Sequence, residues 1–149
     1  MGNELVLLVE DNPDDEALIR RVMTKNGVQV ELVVARDGEE ALDYLFATGK
    51  HATEEKTPLP TFILLDLKLP KLNGLEVLRR IRDNDRTRLL PVVIFSSSNE
   101  EREVLNCYRQ GANSYVRKSV DFTRFNEAVR LLCHYWLDIN EAPSLAAAQ

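Results

Sequence analysis

Carboxylates stand at the ends of two apolar runs in this 149-residue chain, and they are the side chains best suited to do chemistry. Glu10 and Asp11 follow the run from Leu5 to Val9, and Asp66 ends the run that begins at Phe62. Ionised carboxylates that converge on one place repel one another, so either some are protonated or a cation is present. Mg²⁺ suits such a place because it takes oxygen ligands, usually one or two carboxylates completed by waters and phosphate oxygens. These residues therefore predict a site for Mg²⁺ or Mn²⁺.

The predicted ligand set combines side chains with one main-chain oxygen. We expect Asp11 and Asp66 to bind the cation directly, the backbone carbonyl of Lys68 to supply a third oxygen, and Glu10 to act through water. Taken alone, the pair Glu10-Asp11 is explained equally well as a favourable negative charge at a helix N-terminus. The metal site therefore depends on the rest of the pattern.

A nucleophile, an ammonium and a hydroxyl complete a pattern for phosphoryl transfer. An ionised aspartate such as Asp66 is a competent nucleophile toward phosphorus. Phosphoryl transfer otherwise requires in-line positioning and neutralised oxygens, which Mg²⁺ and the ammonium of Lys118 can provide. Ser96, at the end of a neighbouring apolar run, can donate a hydrogen bond to a phosphoryl oxygen. A lone Ser or Lys would be an ordinary surface residue, so the prediction requires all of these side chains to meet.

They can meet only if the apolar runs form one sheet. Short runs rich in Val, Ile and Leu alternate with segments of helical period, which indicates a parallel sheet flanked by helices. The predicted strands are Leu5 to Val9, Val30 to Ala35, Phe62 to Asp66, Val92 to Ser96 and Ser114 to Val116. Ligands of such sheets bind outside the carboxyl ends of the strands. The sequence therefore predicts an α/β domain with the site at that edge.

The helices between the strands are marked by residues typical of helix starts and stops. Their predicted limits are Asn12-Pro13 to Gly27, Asp37 to Gly49, about Gly74 to Arg82, Ser98 to Gly111, and a fifth helix after Asp121. Ser98 and Glu101 predict a capping box for the fourth helix. One face of the fifth helix should carry its buried residues, namely Phe122, Phe125, Val129, Leu132, Cys133 and Trp136.

Composition restricts the classes of function. With 44% hydrophobic and 29% charged residues, the chain is typical of one soluble domain, predicted over residues 4–140 with a disordered tail over 141–149. The net charge of −5 argues against nucleic acid as the main partner. No apolar run is long enough for a membrane span, and the N-terminus lacks a secretory signal, so we expect a cytoplasmic protein. Cys107 and Cys133 are predicted to be buried, reduced thiols.

From Glu4 to about Trp136 the chain resembles the receiver domains of two-component response regulators. The matching motifs are Leu-Val-Glu-Asp-Asn at 8–12, Leu-Leu-Asp-Leu-Lys-Leu-Pro at 64–70, Pro-Val-Val-Ile-Phe-Ser at 91–96 and Ser-Tyr-Val-Arg-Lys at 114–118, with Gly74. The resemblance implies a flavodoxin-like (CheY-like) fold, a five-stranded parallel sheet in the order 2-1-3-4-5 with five helices on both faces. Asp-Asn-Pro-Asp-Asp at 11–15 and the pair Lys118-Ser119 resemble the small single-domain regulators of bacterial phytochromes, although most receivers have Pro at 119.

The resemblance also implies roles for single residues. It makes Asp66 the phosphoacceptor, Glu10 and Asp11 the acidic metal pair, Ser96 the switch hydroxyl, Lys118 the lysine of the site, and Tyr115 the aromatic switch residue. Such a protein accepts a phosphoryl group from a cognate histidine kinase, here with a bacterial phytochrome as one candidate. It then signals by phosphorylation-dependent protein–protein interaction, and its chemistry is confined to its own phosphorylation and dephosphorylation. We expect phosphorylation to draw Ser96 toward the phosphoryl oxygens and to let Tyr115 turn inward.

Other functions share part of this pattern. A phosphorelay intermediate, which passes the phosphoryl group from Asp66 to a histidine of another protein, would use every one of these residues. A phosphatase with the same aspartyl chemistry would need a cap over its substrate, and we find no insertion long enough to build one. A transcription factor would need a DNA-binding domain after the fifth helix, where we expect only the tail.

The end of the fifth helix is more apolar than one buried stripe requires. Six of the seven residues from Leu131 to Leu137 are Leu, Cys, Tyr or Trp. Once the core face is assigned, Leu131, Tyr135 and Ile139 remain as a second stripe, and exposed apolar patches usually mark an interface. We therefore predict a homodimer formed through the fourth helix, the fifth strand and the fifth helix. The alternative is that the tail after Asn140 folds back over this stripe.

Overall fold

The order of helices and strands follows the predicted alternation. The structure is a computed structural model that describes residues 4–48 and 58–143. Its strands are β1 (Leu5–Val9), β2 (Glu31–Ala35), β3 (Phe62–Leu65), β4 (Val92–Ser96) and β5 (Ser114–Arg117). Its helices are α1 (Pro13–Lys25), α2 (Gly38–Phe46), α3 (Gly74–Asp83), α4 (Glu101–Arg109) and α5 (Phe122–Cys133), and α5 continues into a π-helical turn over His134–Ile139.

The five strands form one parallel sheet in the order β2-β1-β3-β4-β5. The predicted fold class and strand order are therefore confirmed. Side chains of β1 alternate between two cores, with Leu5, Leu7 and Val9 in one and Val6 and Leu8 in the other. Burial on both faces explains why the strands appear in the sequence as continuous apolar runs rather than as alternating patterns.

Each core is closed by its own set of helices, as the prediction of helices on both faces requires. The first core receives side chains of α2, α3 and α4, namely Ala41, Leu42, Leu45, Val77, Leu78, Ile81 and Cys107. The second core receives side chains of α1 and α5, namely Ile19, Val22, Met23, Phe125, Val129, Leu132 and Cys133. None of the helices in the described part of the chain combines the length and apolar character of a membrane span.

One predicted helix cap and one predicted buried residue are wrong. Ser98 and Glu101 do not form a capping box, because α4 begins only at Glu101 and Glu100 is its N-cap, without a side-chain cap bond. The hydroxyl of Ser98 lies too early in the chain for that role and donates to Glu103 instead, at 2.6 Å. Phe122 is exposed rather than buried, since the first turn of α5 meets the second core through Phe125 instead, which packs on Phe95 of β4.

The remaining boundaries are close to the predicted ones. Asn12, Asp37 and Asp121 cap α1, α2 and α5 with their side chains. The limits of β2, β3 and β5 differ from the prediction by one residue each. The predicted stop of the second helix at Gly49 lies outside the described residues, and α2 ends at Phe46. The tail is described only as far as Pro143, so its disorder stays a prediction.

Candidate functional site

Three carboxylates meet at the carboxyl edge of the sheet. Glu10 and Asp11 follow β1 and Asp66 follows β3, which is the neighbouring strand. One oxygen of each can be chosen so that all three lie within 4.8 Å of one another. Glu10 and Asp66 are buried and Asp11 is exposed, so the group is open to solvent on one side. Clustered carboxylate oxygens open to water are the donor set that Mg²⁺ and Mn²⁺ prefer, and the residues present therefore fit a divalent cation.

These carboxylates line an open cleft of about 620 Å³. Lys68 and Lys118 line it as well, which places the residue expected to offer a main-chain carbonyl beside the acidic group. Ser97 also lines the cleft, whereas Ser96 itself is fully buried at the end of β4. Leu131 and Tyr135 lie elsewhere, exposed on α5 and on the π-helical turn.

Lys118 is the lysine whose ammonium contacts the carboxylates of the cleft. Its Nζ lies 2.6 Å from Glu10 Oε1, 2.9 Å from Asp15 Oδ2 and 3.0 Å from Asp66 Oδ2. The lysine side chain is largely buried, and its backbone N–H donates to the carbonyl of Ser96 at 2.7 Å, which fixes the chain just after β5. A single ammonium therefore contacts both the predicted phosphoacceptor and one residue of the acidic pair.

Burial and charge act in opposite directions on the ionisable groups here. Burial raises the pKa of Glu10 to about 7, and the charge of Asp66 adds to this rise, against the opposing effect of Lys118. Burial lowers the pKa of Lys118, but hydrogen bonds to Glu10 and Asp15 and the charge of Asp66 outweigh it and hold the pKa above its ordinary value. Lys118 is therefore charged at neutral pH, and a bound divalent cation would favour the ionised form of Glu10.

The backbone around Asp66 is held in place by hydrogen bonds and by one glycine. The N–H of Asp66 donates to the carbonyl of Val9 at 3.1 Å, and one oxygen of its own carboxylate accepts from the N–H of Leu67 at 2.7 Å. A Cβ at Gly74 would lie 2.1 Å from the carbonyl oxygen of Asp66, so no larger residue fits there without a backbone shift. The glycine therefore lets α3 begin directly against the backbone of Asp66 and Leu67.

The side chains of Ser96 on β4 and Tyr115 on β5 both bond to the backbone of Ser98, in the loop that follows β4. The hydroxyl of Ser96 accepts from the N–H of Ser98 at 3.3 Å. Tyr115 is half-buried against the first core, and its hydroxyl donates to the carbonyl of Ser98 at 2.8 Å. Burial raises the pKa of the Tyr115 hydroxyl. The two predicted switch residues therefore both bond to the backbone of Ser98, and the ring of Tyr115 packs against the first core.

Asp15 contacts the site but was not among its predicted residues. It lies in the first turn of α1, after the N-cap Asn12 in the sequence. The sequence did carry a usable signal, because a cap at Asn12 fixes where α1 begins and places the first turn at the carboxyl edge of the sheet. A carboxylate in that turn is close to the residues that follow β1.

Known proteins share both the sequence and the fold. The family model for the response regulator receiver domain matches residues 6–130. The response regulator Rcp1 of Synechocystis sp. is 34% identical over 141 residues, which cover 95% of this chain and 94% of Rcp1. The crystal structure of the Mn²⁺-bound form of Rcp1 superposes with a TM-score of 0.88 at 33% identity, covering 95% of this chain and 99% of that one. Together with the acidic group at the end of β1 and β3, this relative supports a divalent-cation site.

Two further solved structures are similar over nearly their whole length. The phosphorylated cyanobacterial phytochrome response regulator RcpA has a TM-score of 0.88 at 35% identity and covers 96% of this chain and 100% of its own. The bacteriophytochrome response regulator AtBRR has a TM-score of 0.74 at 43% identity, with 95% of this chain and 100% of its own covered.

Proposed function

Because the chain belongs to the response regulator receiver family, we propose that it accepts a phosphoryl group from a histidine kinase on Asp66, in a reaction that needs Mg²⁺. The observation that carries the proposal is the contact of 3.0 Å between Lys118 Nζ and Asp66 Oδ2 inside a group of three carboxylates. A nucleophile, a fixed ammonium and oxygen ligands for a cation are the parts that phosphoryl transfer requires.

The proposed reaction follows from these contacts. An oxygen of Asp66 attacks the phosphorus of the donor, a new O–P bond forms, and the bond from phosphorus to the donor breaks with its electron pair going to the leaving group. Lys118 stays charged and donates to an oxygen of the transferred group, and Asp11, Asp66 and the carbonyl of Lys68 would hold Mg²⁺, with Glu10 acting through water. A bound Mg²⁺ would neutralise negative charge on the phosphoryl oxygens.

The donor and the output are part of the same proposal. RcpA and AtBRR are a phytochrome and a bacteriophytochrome response regulator, which supports a phytochrome-type histidine kinase as the donor. The phosphoryl group would then act through Ser96 and Tyr115 to change which protein the chain binds. The chain would catalyse only its own phosphorylation and dephosphorylation.

The output surface that we propose is a homodimer interface formed by α4, β5 and α5. Exposed apolar side chains lie on α4, on α5 and on the π-helical turn that continues α5, among them Leu105, Tyr108, Leu131, Tyr135 and Ile139. Aromatic residues are enriched among the anchors of interfaces. Tyr115 lies on β5, between the two helices in the sequence, so a change at that side chain has a short route to the surface.

Acetyl phosphate as a small-molecule donor tests the reaction. The wild type should gain one phosphoryl group by intact-mass analysis in MgCl₂, and none after chelation of the cation. Asp66→Asn should take up none, while Asp85→Asn, which removes an exposed carboxylate from the α3–β4 loop, should behave as the wild type. Full phosphorylation of Asp66→Asn, or uptake that survives chelation, would show the mechanism to be wrong.

A further inference from the structure

The ammonium of Lys118 is held from a second direction, by a residue that the proposed reaction does not use. An ammonium has three N–H donors, and in this structure three carboxylates lie within 3.0 Å of Nζ. Glu10 and Asp66 follow strands and belong to the group that could hold a cation. The third, Asp15, comes from α1 and lies outside that group.

Asp15 is itself fixed by the turn that starts α1. The N–H of Asn12 donates to Glu10 Oε2 at 3.1 Å, and the N–H of Asp15 donates to Asn12 Oδ1 at 3.2 Å. Lys118 closes the ring, because its ammonium donates to Asp15 Oδ2 and lies against Glu10 Oε1. Pro13 opens the helix with its φ already set near the helical value, which limits the freedom of this turn.

We propose that Asp15 is a positioning residue for Lys118, and that the segment from Asn12 to Asp15 aims the ammonium at the phosphoryl group on Asp66. The inference rests on the proposed function, since it assigns a task within that reaction. A lysine ammonium sits on a flexible stem of four carbons and has no preferred direction of its own. Asp15 keeps its hydrogen bond while the N–H that faces Asp66 donates to the incoming phosphoryl oxygen. Groups that are already aligned need no reorganisation during the transfer.

The matched control is the neighbouring residue. Asp14 carries the same charge, lies in the same first turn and also donates its backbone N–H to Asn12, but its carboxylate makes no ion pair with any described residue. Both residues line the cleft, so the loss of either carboxylate removes one negative charge from it. Only the loss of Asp15 removes the contact with Lys118.

Phosphorylation kinetics separate the two effects. With acetyl phosphate and MgCl₂ varied separately, Asp15→Ala should lower the maximal rate about tenfold relative to Asp14→Ala, the value of one charge-assisted hydrogen bond. The half-saturating MgCl₂ concentration should be the same in both. Asp15→Asn should lie between, because it keeps an acceptor oxygen without the charge, and Asp15→Glu should recover part of the loss. Equal maximal rates in Asp15→Ala and Asp14→Ala would overturn the inference.

A second measurement does not depend on phosphoryl transfer. The ammonium protons of Lys118 should exchange slowly with water in the wild type and in Asp14→Ala, so that their ¹⁵N-correlated NMR signal is visible. In Asp15→Ala the exchange should be fast and the signal should be lost. An unchanged signal in Asp15→Ala would also overturn the inference. If the wild type takes up no phosphoryl group, the proposed function fails, and the ammonium signal still decides whether Asp15 positions Lys118. Urea unfolding of all variants shows whether any has lost its fold.

Discussion

Single residues decide how a phosphoryl group would be sensed. Ser96 is buried at the end of β4, and its hydroxyl accepts from the backbone N–H of Ser98, whose carbonyl in turn accepts from the hydroxyl of Tyr115. Ser97, the next residue, lines the cleft from a more exposed position. Adjacent serines with different surroundings allow the role of one hydroxyl to be isolated.

Ser96→Ala should leave phosphorylation largely intact and weaken its structural consequence, because the variant keeps the nucleophile and loses the hydroxyl that follows the phosphoryl oxygens. Backbone chemical shifts of Ser98 and Tyr115 with and without beryllofluoride measure that consequence. Ser97→Ala should respond as the wild type does. Shift changes of equal size in Ser96→Ala and the wild type would rule out a switch role for Ser96.

Cys107 and Cys133 are free and buried, in agreement with the prediction from the sequence. Burial raises the pKa of each thiol from its usual 9 to about 11. Because only the thiolate reacts, a rise of this size lowers the reactive fraction at pH 8 about 100-fold.

Alkylation by iodoacetamide at pH 8 should therefore be slow for the folded protein and fast in urea, with the native rate still rising with pH above 9. Intact-mass analysis over time measures both rates. Native alkylation as fast as that in urea would contradict the assigned burial.

Most of the candidate site could be predicted because its residues follow strands directly. Chain position after a parallel strand determines which edge a residue occupies, and this brought Glu10, Asp66 and Lys118 together on sequence grounds alone. The cap at Asn12 places Asp15 near this edge, but its contact with Lys118 depends also on how the first turn of α1 is oriented toward the residues after β5. That orientation is set by tertiary packing and not by local sequence.

Among the helices and strands, those whose signals are local were predictable. Strands buried on both faces leave apolar runs, and side-chain caps leave Asn or Asp before a helix. The start of α4 was mispredicted because the hydroxyl of Ser98 donates to Glu103 and its carbonyl accepts from Tyr115. The residues next to Ser98 in the sequence do not indicate either bond. The π-helical turn after α5 was not predicted, since a widened segment of six residues is too short to establish a period of its own in the sequence.

Arg82 joins the end of α3 to two segments that are distant in the sequence. Its guanidinium donates to the carbonyls of Leu90 and Gly111 at 2.8 and 2.9 Å and to Asn113 Oδ1 at 2.9 Å. Burial lowers the pKa of Arg82, and in this structure its partners are neutral acceptors. The residue therefore serves to hold α3, the start of β4 and the turn before β5 together.

Arg82→Met should lower the free energy of unfolding by about 3 kcal/mol, because several partly buried acceptors lose a charged donor. Arg80→Met is the control: that guanidinium is exposed and pairs with Glu76 one turn away, a contact worth about 0.5 kcal/mol. Urea unfolding midpoints at constant slope give both values. Equal losses in the two variants would show that Arg82 has no special structural role.

At the scale of the whole molecule, the exposed apolar side chains predict self-association. Leu131 on α5 and Tyr135 on the π-helical turn are 49% and 45% exposed. Leu89 is 48% exposed but lies in the connection between α3 and β4, away from the proposed interface. Substitutions at these positions are therefore matched in exposure and differ in location.

We expect a dimer in sedimentation experiments at several concentrations, strengthened by beryllofluoride with MgCl₂. The double substitution Leu131→Glu with Tyr135→Glu should shift the protein to monomer, because association would bury two unpaired carboxylates in an apolar interface. Leu89→Glu should leave the dimer unchanged. A monomer at all concentrations, or a dimer unaffected by the double substitution, would refute the interface and favour the tail as the cover of this stripe.

The widened turn after α5 also gives the molecule an optical property. Trp136, the single tryptophan of the chain, stacks on Phe62 with ring centroids 6.3 Å apart and meets Tyr135 edge-on at 5.0 Å. Phe62 begins the strand that leads to Asp66, and Tyr135 belongs to the proposed dimer interface. One fluorophore thus lies between the start of β3 and the surface where a partner would bind. We therefore expect the emission of Trp136 to change on assembly, which can be followed in real time without an added label.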